Sequence, residues 1–550
     1  MREWWKSGSP WIWLNGGAVT ISMVMVFGLL ALILVRGFGA FWPHPVFETT
    51  YTLPSTDPVP VVGELRRSET LTGAAMRDAG IPIPEDQLIV TRHLIKLGNR
   101  DVTGRDFAFF IDDFLDEWRF PTDMTVLERR EWGDFFGVPV RLLERGSTVA
   151  VGDEIWPEFQ QRLRRSNDLF DEIRGIERGA MGRINFGIER VRLDQRRAEL
   201  RGTLTDELQA ELNQRREDLQ AEFHILEERL NRLYDDIARD SIVMRAADGR
   251  EVTIRLADIV KAWQPNNMSV PAKIGFYVQD FFDFIFGFPR EANTEGGIFP
   301  AIFGTVVMVF VMSIIVTPFG ILAAIYLREY AKQGPLLRTV RISVYNLAGV
   351  PSIVFGVFGL GFFVYFLGGA IDQAFFPEAL PAPTFGTPGL FWASLTLALL
   401  TLPVVIVSTE EGLARIPSTI REGSLALGAT KGETLWKVVV PLATPAMMTG
   451  LILAIARAAG EVAPLMLVGV VKLAPTLPID GNFPFIHLER KIMHLGFHIY
   501  DVGFQSPHAE AAEQLVYATA LILVILIVVL NLTAITIRNH LREKYRAESD

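Results

Sequence analysis

Two ionisable residues, Arg457 and Glu461, stand inside one long apolar run, Leu442 to Val471. Four residues apart, they share a face if the run is a single helix. A charge at the centre of a membrane helix costs about 2.5–3.5 kcal/mol on insertion scales, so the pair needs a reason to be there. The guanidinium presents a planar fork of donors suited to a tetrahedral oxyanion, and a carboxylate accepts from the hydroxyl of a protonated one. The alternative is an intrahelical salt bridge that only neutralises both groups; Arg before Glu is the weaker i,i+4 order but permits pairing. His494 and His498, also four apart, have a spacing that can ligate a metal, but an interfacial amphipathic helix is the reading expected for them. No P-loop is present: the string Gly423 to Gly428 continues Ala429-Thr430-Lys431, which misplaces the lysine. No nucleophile elbow or HExxH occurs either, and with no cysteine the chain has no thiolate ligand, thiol nucleophile or disulfide.

The elements that must hold these residues follow from composition. Of 550 residues, 49% are hydrophobic and 21% charged, yet mean hydropathy is +0.26, so charge and apolar surface must be segregated along the chain. A net charge of -10 argues against nucleic-acid binding. Uncharged runs long enough to cross a hydrocarbon core of about 30 Å occur at Asn15 to Val35, Ile298 to Leu327, Ile342 to Ile371, Ala379 to Thr409 and Leu515 to Ile537. The run carrying Arg457 and Glu461 makes a sixth. Internal Pro and Gly residues predict kinked helices, each a single crossing. Lys and Arg concentrate near Arg2 and Lys6, Arg328 to Arg341, Arg415 to Lys437, and Arg538 to Arg546, which places both termini in the cytoplasm. The first run has the length of a full span and is read as uncleaved.

This ordering predicts a first span within residues 1–36, an external domain over 37–297, a membrane domain over 298–541 with a cytoplasmic loop at 415–445, and a tail over 542–550. In the external segment, Leu88 to Thr91, Val138 to Leu143 and Glu251 to Leu256 favour β-structure, and Asp248-Gly249 signals a hairpin, so a small α/β module is expected. Between its halves, residues 154–240 are rich in Arg and Glu. Leu219, Phe223, Leu226, Leu230, Leu233 and Ile237 recur there at steps of four and three, as in a heptad seam. Phe159, Leu163, Phe170, Ile173, Ile184 and Val191 continue that seam backwards, and Gly202 is the expected point of reversal. A coiled-coil helical hairpin follows, its charges forming a solvated surface.

The loop at 415–445 carries a spaced motif. Glu422 is followed six residues later by Gly428, and after nine more by Val438-Val439-Val440-Pro441. This spacing describes a helix-turn-helix able to fit a groove on a partner and pass on its motion. It resembles the EAA loop of ABC importer permeases, with Gly423 and Ser424 in place of the two alanines and Val438 and Val440 in place of Ile and Leu. The stretches Asn346 to Gly356 and Ala456 to Leu465 are similar to segments of the phosphate permease family within that group; many of its members have only a short external loop, and a longer subfamily with an extended N-terminal external domain is the closer likeness. The resemblance implies a six-helix, mostly α importer permease in the inner membrane, acting as a non-catalytic subunit that binds no cofactor itself. It implies as partners a second permease subunit, a cytoplasmic ATPase dimer that consumes ATP, and a periplasmic phosphate-binding protein. Arg457 and Glu461 would then line the anion pathway, and Glu422, Gly428 and Pro441 would belong to the coupling loop. A sulfate or molybdate permease is the alternative within transport. A membrane sensor using the external coiled coil is the alternative outside it, and lacks an output domain.

Overall fold

The computed structural model describes residues 7, 9–54, 57–290, 295–505 and 509–547. Arg2 and Lys6, used above to orient the chain, lie outside these residues, as do 548–550 of the expected tail. The chain divides into two units, Met1–Ala40 with Ile298–Asp550, and Phe41–Gly297.

In the first unit, six helices among the described residues are long and apolar enough to cross a membrane: Trp11–Gly39, Phe299–Tyr330, Ser352–Phe375, Leu390–Ala414, Lys431–Gly460 and Glu513–His540. Three begin or end away from the apolar runs, for local reasons. The third run is split: Pro335–Leu347 is a separate helix, and the span starts after Pro351, whose ring disfavours helical backbone in the residue before it. The fourth starts only at Leu390, because Pro381, Pro383 and Pro388 keep the preceding stretch out of a helix. The fifth stops at Gly460 rather than continuing to Val471, with Glu461 already extended at φ -80 and ψ 132.

Small residues set the packing of these spans. Gly320 lies against Val405, and Ser394 Oγ donates to the Met308 carbonyl at 3.3 Å, so the second and fourth spans run parallel. Gly412 against Ala446 and Gly450 against Ser408 make the fourth and fifth antiparallel. Without a hydrophobic force between helices in lipid, such close backbone approach and the dispersion contacts it allows hold the bundle together. Met308, Met312, Leu397, Val405, Ala454 and Ala458 form its buried centre. The first span meets the last where Gly37 abuts Leu521 and Arg36 pairs with Glu513.

The second unit is the α/β module. One antiparallel sheet joins β1 (Val46–Tyr51), β2 (Val59–Thr72), β3 (Ile89–Lys96) and β4 (Phe107–Ile111) in that order. The other contains β5 (Thr125–Arg129), β6 (Phe135–Glu144), β7 (Ser147–Val151), β8 (Asp240–Arg245), β9 (Glu251–Arg255) and β10 (Ile259–Trp263), in the order β10-β5-β6-β8-β9 with β7 also on β6. Asp248 and Gly249 turn the β8–β9 hairpin, Gly249 at φ +80, a region glycine enters without steric cost.

Between β7 and β8 rises the helical hairpin. Its outgoing arm runs Ile155–Gly175, a π-turn at Ile176–Met181, and Gly182–Arg201; its return arm is Asp206–Ile237. Gly202, at φ +66, closes the outgoing arm, and Thr205 caps the return arm by accepting from the Leu208 amide. Ile173, Ile176, Leu230 and Ile237 are buried between the arms with Leu226 and Leu233 beside them, and Gly187 admits Leu219. Phe159 and Leu163, expected in that seam, pack instead on the second sheet with Leu142, Ile242 and Met244. The root of the hairpin is thus part of the sheet core. Arg162 fixes it, reaching Glu158, Glu144 and Asp240 at 2.7–2.8 Å.

One deletion and one substitution therefore separate root from arm. Replacing residues 183–223 with a short Gly/Ser linker removes only the distal arm and is expected to leave the module folded. Phe159→Ala is expected to destabilise it by about 3–5 kcal/mol. Limited proteolysis and thermal unfolding of the membrane-extracted protein check both.

Candidate functional site

The loop between the fourth and fifth spans is a helix-turn-helix. Ser418–Ala426 forms the first helix, Gly428 turns the chain at φ +89, and Thr430 starts the next helix through a capping box with Glu433. The reciprocal bonds, Glu433 amide to Thr430 Oγ1 at 3.2 Å and Thr430 amide to Glu433 Oε2 at 2.9 Å, satisfy two otherwise orphan donors. The helix passes through a π-turn at Leu435–Val439 into the fifth span, and Pro441 follows that turn inside the continuous helix Lys431–Gly460, where the irregular ladder accommodates a residue with no amide hydrogen.

This loop is held on its inner side and open on its outer side. Arg421 bridges Glu329 Oε1 and the Leu413 carbonyl, each at 2.8 Å, and Lys431 Nζ donates to the Glu329 carbonyl at 2.5 Å. Leu435 and Val439 are buried with Ile325, Leu413 and Ile416. Glu422 is exposed, and Leu427 at the turn is 91% exposed, beside Leu425 and Trp436. Sequence reading missed the clasp on Glu329, since nothing in the chain between residues 329 and 421 signals that the two ends meet.

Arg457 occupies the last turn of the fifth span, where its charge also meets the negative end of the helix dipole. Glu461 lies beyond the helix, so the two do not share a helical face as expected. Pro464 disfavours helical backbone at Ala463, and the chain leaves the helix at Gly460 before it. They still pair, Arg457 Nε to Glu461 Oε1 at 3.4 Å. Among the described residues this is the only hydrogen bond of the guanidinium, and its side chain is 34% exposed. The two stretches singled out in the third and fifth runs meet here: a Cβ at Gly356 would lie 2.7 Å from Pro464 Cα. Only glycine permits that approach.

Residues 316–547 match the family described as binding-protein-dependent transport system inner membrane component. The chain is 37% identical over 225 residues to the phosphate transport system permease protein PstA of Mycobacterium leprae, covering 40% of this chain and 68% of that one. It is 35% identical over 244 residues to PstA 1 of Mycobacterium tuberculosis, covering 44% and 71%. The Yersinia pestis PstA is 32% identical over 246 residues, covering 45% and 74%.

His494 and His498 fall in the matched region but not on an interfacial surface. Both are buried: His494 caps the short helix Leu495–Tyr500 by accepting from the Gly496 amide at 3.1 Å, and neither ring nitrogen of His498 has a hydrogen-bond partner among the described residues. Thr305 of the second span accepts from the Leu495 amide at 3.0 Å, which pins this segment in place. Burial lowers both pKa values to about 4; for His498 the Asp501 carboxylate opposes this and Lys472 adds to it. Below pH 6.5 the unfolded chain takes up protons that the folded one refuses until about pH 4, so stability present above pH 6.5 is lost as pH falls through that window. The unfolding free energy of the purified protein is expected to fall between pH 7 and pH 5, by up to about 1.4 kcal/mol per pH unit per histidine, and the unfolding temperature to fall with it. His498→Leu should flatten the drop, as thermal scans across pH will report.

Proposed function

The chain belongs to the family of binding-protein-dependent transport system inner membrane components, and we propose from that premise that it passes phosphate through the membrane as one subunit of an ATP-driven importer. It is a permease subunit of a multi-pass inner-membrane transport system. Three things belong to the proposal: phosphate as substrate, ATP hydrolysis by a separate cytoplasmic ATPase, and a second permease subunit sharing the pore. With both termini cytoplasmic, the helix-turn-helix at 415–445 faces that ATPase and the large domain faces outward, where a phosphate-binding protein delivers the anion.

The observation that carries the reading is the part-exposed guanidinium of Arg457 beside the helix break. It engages Glu461 through a single nitrogen, which leaves the rest of its fork to donate to a tetrahedral oxyanion. Glu461 moderates the charge, so that a phosphate can leave as well as enter. The likeness to the phosphate permeases supports phosphate over other oxyanions.

At the coupling loop, a residue other than glycine at φ +89 is strained, and proline, fixed near -65°, cannot adopt it at all. Gly428→Pro is expected to leave membrane levels normal while abolishing uptake, and Glu422→Ala to reduce it severely. Normal uptake by either variant, with the ATPase still co-purifying, would remove this loop from the coupling path.

At the charge pair, Arg457→Lys keeps the charge but loses the planar fork, and labelled-phosphate uptake should fall by about ten-fold or more. Arg457→Gln should nearly eliminate it. A purely structural salt bridge predicts the opposite for the double variant Arg457→Gln with Glu461→Gln, because no unpaired charge remains. Uptake restored in that double variant rejects the pathway role; uptake still lost at normal membrane levels upholds it.

A further inference from the structure

The helix Val270–Phe286 of the large domain is amphipathic in the inverted sense. Its acidic residues are engaged by the domain: Lys261 of β10 binds Asp280 at 2.9 Å and the half-exposed Asp283 at 2.6 Å. Phe276 packs on Trp263, with ring centroids 4.8 Å apart, and Phe284 is buried. Outward, Val270, Ile274, Val278, Phe282 and Phe286 repeat every fourth residue in one ridge. Their exposures are 66, 51, 46, 52 and 62%. A surface helix meant for water shows the reverse pattern, and an exposed apolar ridge of this length marks a contact with something apolar.

Chain connectivity identifies the contact. Phe41 follows the last residue of the first span helix, Gly39, by two positions, a reach of about 7 Å. Its ring packs on Tyr277, Phe281 and Phe284 of this helix, at centroid distances of 6.4, 5.3 and 5.2 Å. Trp42 lies 6.1 Å from Tyr277. Such aromatic residues gather at membrane–water interfaces. Just past its C-terminus, the Gly297 amide donates to the Phe288 carbonyl at 3.1 Å, and the Gly287 and Gly297 backbones touch. Gly297 stands two residues before the second span helix begins at Phe299. The helix is therefore tied, along its C-terminal half and just past its C-terminus, to residues that border membrane crossings.

We propose that Val270–Phe286 lies in the plane of the bilayer surface on the side of the large domain, with its ridge inserted at the headgroup–acyl boundary. The attraction is hydrophobic rather than electrostatic, because the acidic residues of the helix are engaged by Lys261 and the ridge carries no basic residue. The occupant is lipid of any headgroup.

The chain has no cysteine, so single-cysteine variants of the full-length protein are clean reporters. Val278→Cys and Phe282→Cys, labelled with a small fluorophore and reconstituted in phosphatidylcholine vesicles, should be quenched by lipid carrying a nitroxide high on its acyl chain. The expected quenching is about three-fold or more above that of Ile225→Cys on the helical hairpin, with iodide quenching correspondingly weaker. Val24→Cys in the first span serves as the lipid-exposed reference. Adding anionic lipid should leave the ratio unchanged. Labels at 278 and 282 that respond to iodide as the one at 225 does would overturn the proposal. So would labels shielded from both quenchers, which would mean that a second copy of the chain covers the ridge.

Discussion

Irregular backbone next to a hydrocarbon core must have its polar groups satisfied from within the protein, and the break after Gly460 is where this chain meets that demand. The span helix cannot continue past Gly460, and only the short turn Leu465–Val468 of the segment 461–471 is helical. The segment closes on itself through the Leu465 amide to the Val462 carbonyl at 3.0 Å. It then closes on its neighbours, with the Gly389 amide donating to Val468 at 3.0 Å, Ile492 to Gly469 at 3.1 Å and Val471 to Ile492 at 2.9 Å. Those bonds tie together the start of the fourth span, the end of the fifth and the loop before the sixth. Gly356, Gly389 and Gly469 are glycines because this knot brings backbone against backbone there. Arg457 sits at its edge, which explains how a charge is tolerated: it neighbours a helix end and an irregular segment rather than lipid-facing helix on both sides.

The helix-turn-helix is built on the same economy of contacts at the opposite end of the fifth span. One residue, Glu329, holds both of its helices, through its carboxylate to Arg421 and its carbonyl to Lys431. The loop is thereby fixed to the end of the second span while Leu427 and Trp436 remain uncovered. The fixed base joins the second, fourth and fifth spans, and the apolar tip stands clear of them.

The large domain solves a different problem. Two antiparallel sheets supply the core, and Phe159 and Leu163 graft the helical hairpin onto one of them, so the long arm is carried by a rooted base rather than by a flexible joint. The helix Val270–Phe286 turns its carboxylates toward Lys261 and its aliphatic and aromatic ridge away, a polarity that makes sense only beside an apolar phase.

From the sequence alone, the six spans, the hairpin with its reversal at Gly202, the Asp248-Gly249 turn and the Glu422–Gly428–Pro441 spacing were all legible, because each is set by local periodicity or by a residue with restricted backbone freedom. Helix ends were less so. The third, fourth and fifth runs were read too long toward the side where Pro and Gly interrupt them, since apolar composition persists past the point at which helical geometry stops. The assignment of Phe159 and Leu163 to the seam failed because an apolar residue at heptad spacing looks the same whether it meets a helix or a sheet. Pairing of distant segments was decided only by the tertiary structure: Gly356 against Pro464, Arg421 and Lys431 on Glu329, the burial of His494 and His498, and the pairing of Asp280 and Asp283 with Lys261. These depend on which surfaces the folded chain brings within a few ångströms, and that information is carried by no single stretch of sequence.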